Sequence, residues 1–145
     1  MLLQSQYVFA APLDRVWALL TDVQALSACI PGCRSVVPQG DGRYSLTLTL
    51  DAPLISGDYT GNIALLELDP MRSYRMDVDG QGGPGALRGS SRVTLTREAT
   101  STRVDIRADA QVSGFVAAFG PRLLESAAQR GLDKFYNCLQ KRVVA

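Results

Sequence analysis

Apolar and polar residues alternate at the start of the chain, with Leu3, Ser5, Tyr7 and Phe9 set against Gln4, Gln6 and Val8. A period of two predicts a strand. Pro12 breaks it, and Leu13, Val16, Trp17 and Leu20 then recur at helical spacing, with Pro12 suited to the first turn. Thr21 or Asp22 caps a second short helix through Leu26 and Ala28. Pro31-Gly32 ends that helix, because proline cannot continue it and glycine turns freely.

From Arg34 to Val112 the period is again two. Asp41-Gly42 signals a hairpin after Ser35-Val36-Val37-Pro38. Tyr44, Leu46, Leu48 and Leu50 share one face, and Ser45, Thr47 and Thr49 the other. One dry face and one wet face are the mark of an antiparallel sheet. Tyr59, Gly61, Ile63 and Leu65 continue the pattern, and a slip of phase to Leu66 and Leu68 predicts a bulge before the Asp69-Pro70 turn. Tyr74, Met76, Val78 and Gly80 oppose Arg75, Asp77 and Asp79. After the stretch Gly80-Gln81-Gly82-Gly83-Pro84-Gly85, Leu87, Gly89, Ser91, Val93 and Leu95 oppose Arg88, Arg92, Thr94 and Thr96. The last strand sets Val104, Ile106, Ala108, Ala110 and Val112 against Arg103, Asp105, Arg107 and Asp109, a solvated charged face.

From Phe115 to Arg142 the period returns to 3.6, with Phe119, Leu123, Ala127, Phe135, Cys138 and Leu139 on an apolar stripe. About 28 helical residues would run ~40 Å, with a kink expected near Gly120-Pro121. The order is strand, two short helices, about six further strands and one long helix. Segregated strands and helices predict an α+β fold in a single domain over residues 1–145. A curved antiparallel sheet of about seven strands would wrap the long C-terminal helix and leave a cavity between the two.

Composition narrows the function classes. The chain has 145 residues, 46% of them hydrophobic, enough to bury a core without staples. A net charge of +1 supplies no basic footprint for nucleic acid. The absence of histidine excludes a histidine base, metal ligand or pH switch. Three cysteines, Cys29, Cys33 and Cys138, do not make a disulfide framework and suit a reducing cytoplasm. The N-terminus lacks the regions of a signal peptide, and no apolar run approaches the ~20 residues of a membrane span.

Several stretches are more specific. Ala11-Pro12 through Thr21-Asp22 resembles the opening of the START/Bet v 1-like (SRPBCC, polyketide cyclase-like) superfamily, whose helix-grip fold matches the order of elements above. Leu26-Ser27-Ala28-Cys29-Ile30-Pro31-Gly32-Cys33 resembles the L-A-x-C-I-P-G-C stretch of the carbon monoxide dehydrogenase G-subunit family. Tyr59-Thr60-Gly61 with Leu66-Glu67-Leu68-Asp69-Pro70, the glycines Gly80, Gly82, Gly85 and Gly89, and Val112-Ser113-Gly114 with Phe119-Gly120-Pro121-Arg122-Leu123-Leu124 are similar to further motifs of that family. The resemblance runs over about residues 2 to 140. It implies a non-catalytic accessory protein of a molybdenum-containing carbon monoxide dehydrogenase or related molybdenum hydroxylase. Such a protein recruits the enzyme to the membrane, or binds a quinone in the helix-grip cavity so that electrons leave the enzyme. Longer members carry an apolar C-terminal tail. This sequence stops at Ala145 just after Arg142-Val143-Val144, so at most weak peripheral contact with a membrane is expected, in the cytoplasm or at its membrane face.

The candidate residues follow. Cys29 and Cys33, spaced C-x3-C around Pro31-Gly32, lack the partners for a metal site and the spacing of a redox pair, so packing in a turn is expected. The glycines Gly61, Gly80, Gly82, Gly89 and Gly120 are structural. A phosphate cradle is not expected at residues 80–89, because strand signals follow where a helix would be needed. Trp17, Tyr44, Leu48, Tyr59, Ile63, Tyr74, Met76, Ser91, Phe115, Phe119 and Leu123 are the candidates for the cavity lining. A quinone ring would stack on such aromatics, with a tyrosine hydroxyl, Ser91 or Arg92 donating to its carbonyls. Asp77 and Asp79 fall on the wet face, so no inward acid-base pair is expected. Two other readings stay open: a small aromatic or polyketide cyclase or dehydratase, and an assembly factor with no ligand.

Overall fold

The computed structural model describes residues 1–51 and 55–144. Strand β1 (Leu2–Phe9) leads into helices α1 (Leu13–Leu20) and α2 (Val23–Ser27). Strands β2 (Cys33–Gly40), β3 (Arg43–Leu50), β4 (Gly57–Asp69), β5 (Ser73–Gly82), β6 (Gly85–Glu98) and β7 (Ser101–Ser113) follow. A single 3-10 turn (Phe115–Phe119) then precedes helix α3 (Pro121–Val144).

The strands form one antiparallel sheet in the order β1-β7-β6-β5-β4-β3-β2, which curves around α3. Every pair but one is a hairpin between consecutive strands. The exception joins the first and last strands, where Leu3 pairs with Ala108 and Phe9 with Thr102. The helix-grip expectation is therefore met, including the two short helices between β1 and β2. The predicted phase slip is a register shift between Leu66 and Asp69, with Glu67 at a φ of 51°.

Local chemistry sets the helix ends. Asp22 caps α2, its carboxylate accepting from the Ala25 N–H at 3.3 Å. Pro12 stands one residue before α1, in an extended conformation, rather than inside its first turn. The helix expected from Phe115 with a kink near Gly120-Pro121 is broken fully at that point, into a 3-10 turn and a separate helix. Gly120 takes a φ of 89°, which breaks the rod, and Pro121 opens α3 where its missing N–H is no loss.

The core occupies one end of the grip. Phe9 from β1, Tyr74 from β5, Val93 and Leu95 from β6, and Val104 and Ile106 from β7 are buried. They meet Val16 and Leu20 of α1, Leu26 of α2, and Tyr136, Leu139 and Val143 of α3. Tyr7 stacks on Tyr136 with ring centroids 4.7 Å apart, and Trp17 meets Tyr74 edge-on at 5.7 Å. Each large apolar side chain buried here contributes about 1.5–3 kcal/mol. Arg15 of α1 donates to the Val143 carbonyl in the last turn of α3, locking the helices together.

The outer face of the sheet carries the predicted charges. Glu67 accepts from Arg75 at 2.9 Å and from Arg92 at 3.2 Å, and Arg103 bridges Glu98 and Asp105. Asp77 accepts from Ser90, and Asp79 from Asn62. These half-exposed groups are solvated surface, each pair worth ~0–1 kcal/mol.

Candidate ligand cavity

At the other end of the grip the inner face is lined by small residues. In β6 and β7, Gly89 pairs with Ala110 and Ser91 with Ala108, so four adjacent inward positions carry almost no side chain. Opposite them, α3 presents Ala128 and Gly131. A Cβ built on Gly131 would meet nothing within 4 Å. The sheet and helix are held apart by the large residues of the core end, and no side chain among the described residues fills the gap here. The result is a cavity of about 380 Å³ between sheet and helix.

Ile63, Met76, Val78 and Leu87 line its sheet side, and Leu132, Phe135 and Tyr136 its helix side. Leu26 and Ile30, at the end of α2, complete the wall. The exposed Leu87 marks the open side. Among the described residues, the lining contains no lysine or arginine. Asp109 borders the cavity, but its carboxylate is exposed on the outer face, 3.5 Å from the N-terminal ammonium. Among the described residues there is no cluster of histidine, cysteine or carboxylate side chains able to hold a metal.

Inward polar groups are few. The Ser91 hydroxyl donates to the Met76 carbonyl at 3.3 Å. Tyr136 is 1% exposed, and burial pushes its phenol well above the usual tyrosine range, with the neighbouring Tyr74 and Tyr7 phenols adding to the effect.

Of the aromatic and apolar candidates drawn from the sequence, the structure places Ile63, Met76 and Ser91 at the cavity. Trp17 and Tyr74 lie in the filled end, where the Tyr74 hydroxyl reaches the Leu20 carbonyl at 3.5 Å. Tyr44 and Leu48 of β3 pack partly buried against the core. The Tyr59 hydroxyl donates to the Ile55 carbonyl at 2.7 Å. Phe115 and Leu123 are exposed, and Phe119 packs edge-on against Phe115. Arg92 points to the outer face, on Glu67. The physical reason is volume: large aromatics occupy the space they face, and a cavity survives where side chains are missing. The signal was present as the inward run Gly89, Ser91, Ala108, Ala110.

The turn at residues 29–33 departs from expectation. Cys29 is joined to Cys138 of α3 by a disulfide, with Cα atoms 5.7 Å apart, and Cys33 is the free thiol. The cysteines are thus not all unpaired, and the argument for a reducing compartment loses that support. Counting cysteines could not reveal the pair, because the contact joins positions 109 residues apart. Pro31 and Gly32 shape the turn. Gly32 has a φ of 69°, and a Cβ there would collide with the Thr49 carbonyl, while its own carbonyl accepts from Thr49 at 2.9 Å. Gly61 pairs with Gly80, and Gly82 with Tyr59, and a Cβ on Gly61 or Gly82 would come within 2.5 Å of the Asp79 carbonyl or the Tyr59 ring.

A curved sheet gripping a helix over an apolar cavity defines the START/Bet v 1-like class. The model of the carbon monoxide dehydrogenase G-subunit (CoxG) family matches residues 6–144, and the chain belongs to that family. A conserved protein from Geobacillus kaustophilus has a similar structure, with a TM-score of 0.94 and 28% identity, over 99% of this chain and 95% of that one. The ZhuI aromatase/cyclase from Streptomyces sp. R1128 shares the fold at a TM-score of 0.70 and 18% identity, over 99% and 93% of the two chains. A START superfamily protein from Mycobacterium smegmatis does so at 0.75 and 13%, over 98% and 96%. No curated protein matches the chain. Among the described residues, no helix is long and apolar enough to cross a membrane.

Proposed function

We propose that this protein holds a small apolar molecule in the sheet-helix cavity and serves as a non-catalytic accessory protein of a molybdenum hydroxylase, such as a carbon monoxide dehydrogenase. The observation that carries the reading is the band of missing side chains at Gly89, Ala108, Ala110, Ala128 and Gly131. A band of this kind is costly to a core, since an unfilled site loses contacts on one side. An apolar guest restores them. A volume of about 380 Å³ falls within the usual range for ligand sites, ~300–1,000 Å³. Membership of the CoxG family supports the accessory role, and a quinone is the candidate guest.

The test is native mass spectrometry of the purified protein, with extraction and identification of any retained molecule. A quinone supports transfer of electrons away from the enzyme. A different apolar molecule keeps the binding role and removes the electron carrier. An empty protein that neither shifts in melting temperature nor loses Trp17 fluorescence with added quinone ends the ligand-binding reading. It leaves assembly, which a pull-down of the hydroxylase then tests.

A further inference from the structure

We infer that Tyr136 is the polar anchor of the cavity: its hydroxyl donates to a carbonyl oxygen of a neutral, ring-sized guest, and the same site rejects carboxylates. This inference rests on the ligand-binding reading above and narrows it to a ligand class. Tyr136 is 1% exposed and belongs to the helix side of the cavity. Its ring is fixed from two sides, stacked on Tyr7 at 4.7 Å and met edge-on by Phe135 at 5.2 Å. The neighbouring hydroxyls are spent: Tyr7 donates to Asp133 at 2.7 Å, Tyr74 to Leu20, and Ser91 to Met76. Among the described residues nothing accepts from Tyr136.

Every described side-chain oxygen or nitrogen sealed off completely by its neighbours has a partner. A Tyr136 hydroxyl with none therefore opens on space a water could enter, and the cavity is the space this residue lines. A phenol in so dry a place keeps its proton and needs an acceptor to give it to. Charge settles which acceptor. With no lysine or arginine in the lining, a carboxylate would enter without a counter-ion and lose its hydration, which strongly opposes binding. A carbonyl oxygen on an apolar ring takes the proton at no such cost. The volume equals about a dozen waters at ~30 Å³ each, room for one ring system, with any longer chain leaving past Leu87.

The experiment compares wild-type protein with Tyr136→Phe by isothermal titration, using menadione, methylnaphthalene and laurate. Tyr136→Phe keeps the ring and its stacking, and Tyr59→Phe serves as the second variant, removing a hydroxyl held on the Ile55 carbonyl at 2.7 Å and outside the cavity lining. Menadione is expected to bind Tyr136→Phe roughly three- to tenfold more weakly than wild type, the range for one neutral hydrogen bond. Methylnaphthalene should bind both alike, laurate should bind far more weakly than menadione, and Tyr59→Phe should leave menadione affinity unchanged. Equal affinity of menadione for wild type and Tyr136→Phe, with methylnaphthalene bound, overturns the anchor and leaves the cavity reading intact. Laurate bound as tightly as menadione overturns the neutral-guest class. If neither ring compound binds wild type, the cavity reading fails and the anchor with it.

Discussion

Cys29 and Cys138, 109 residues apart in sequence, are covalently joined with their Cα atoms 5.7 Å apart. Cys29 is flanked by Leu26 and Ile30, and Cys138 by Phe135, and these three side chains belong to one wall of the cavity. The bond therefore ties the α2–β2 turn to the helix it faces, beside the cavity between sheet and helix.

Reduction should loosen that wall. A cross-link closing a loop this long contributes about 2–4 kcal/mol, chiefly by restricting the unfolded chain. Excess dithiothreitol, or Cys138→Ala, is expected to lower the melting temperature by roughly 5–15 °C. Ligand release should become faster, while Cys33→Ser changes neither. Alkylation before reduction should label one thiol. Three labelled thiols in the native protein, or a melting temperature indifferent to reductant, would sink the prediction.

Gly131 gives a test in which stability and binding move in opposite directions. A glycine inside a helix costs roughly 0.5–1 kcal/mol relative to alanine, and here a side chain would meet only open space. Gly131→Ala should therefore raise stability by up to ~1 kcal/mol while narrowing the cavity. Gly131→Leu should fill it and reduce the affinity for a ring-sized guest at least tenfold. A Gly131→Leu protein that binds as well as wild type would show that the guest sits elsewhere.

The grip was legible from alternation because each strand's inward and outward sets differ in polarity along most of its length. Val104 and Ile106 against Arg103 and Asp105 is such a case, and the fold buries the first pair and wets the second. The cavity was legible in outline only. Aromatic residues such as Trp17, Tyr59 and Tyr74 fill space, whereas the lining depends on Gly89, Ala108 and Gly131, which leave it open. Periodicity does not single out Tyr136 either. A stripe at helical spacing says which residues face inward, but not that one hydroxyl among them lacks an acceptor. The disulfide is a tertiary contact between distant segments, and no local pattern encodes it.

Thr102 illustrates how the first and last strands are held. It is fully buried, and its hydroxyl donates to the Ala11 carbonyl at 2.9 Å, fixing the exit from β1 just before α1. Thr102→Val keeps the shape and leaves that carbonyl unpaired, at a cost of about 1–3 kcal/mol. Glu67→Gln, on the solvated face, should cost less than ~1 kcal/mol although it weakens two ion pairs. Urea denaturation of both variants measures the difference. A reversed order would mean that the outer network, and not the buried joint, holds the sheet.

The buried tyrosines set the alkaline limit of the fold. Burial pushes the Tyr7 phenol from 10.0 up to about 12, the nearby Asp133 carboxylate reinforces the shift, and a hydrogen bond with Ser5 acts against it. Burial alone raises Tyr74, and it is the main cause for Tyr136. In each case the folded state prefers the neutral phenol more than the unfolded chain does. The preference is fully present below the unfolded value of 10.0 and is lost as pH climbs through the folded value. Stability should accordingly be level between about pH 7 and 9 and fall steeply from about 10 to 12. Tyr7→Phe and Tyr136→Phe should each flatten that fall, because phenylalanine has no proton to lose. The measurement is urea unfolding against pH, with phenolate absorbance followed in parallel. Ionisation of all the tyrosines near pH 10 without loss of structure would contradict the prediction, for it would mean that burial does not hold the phenols of Tyr7 and Tyr74 in their neutral form in the native state.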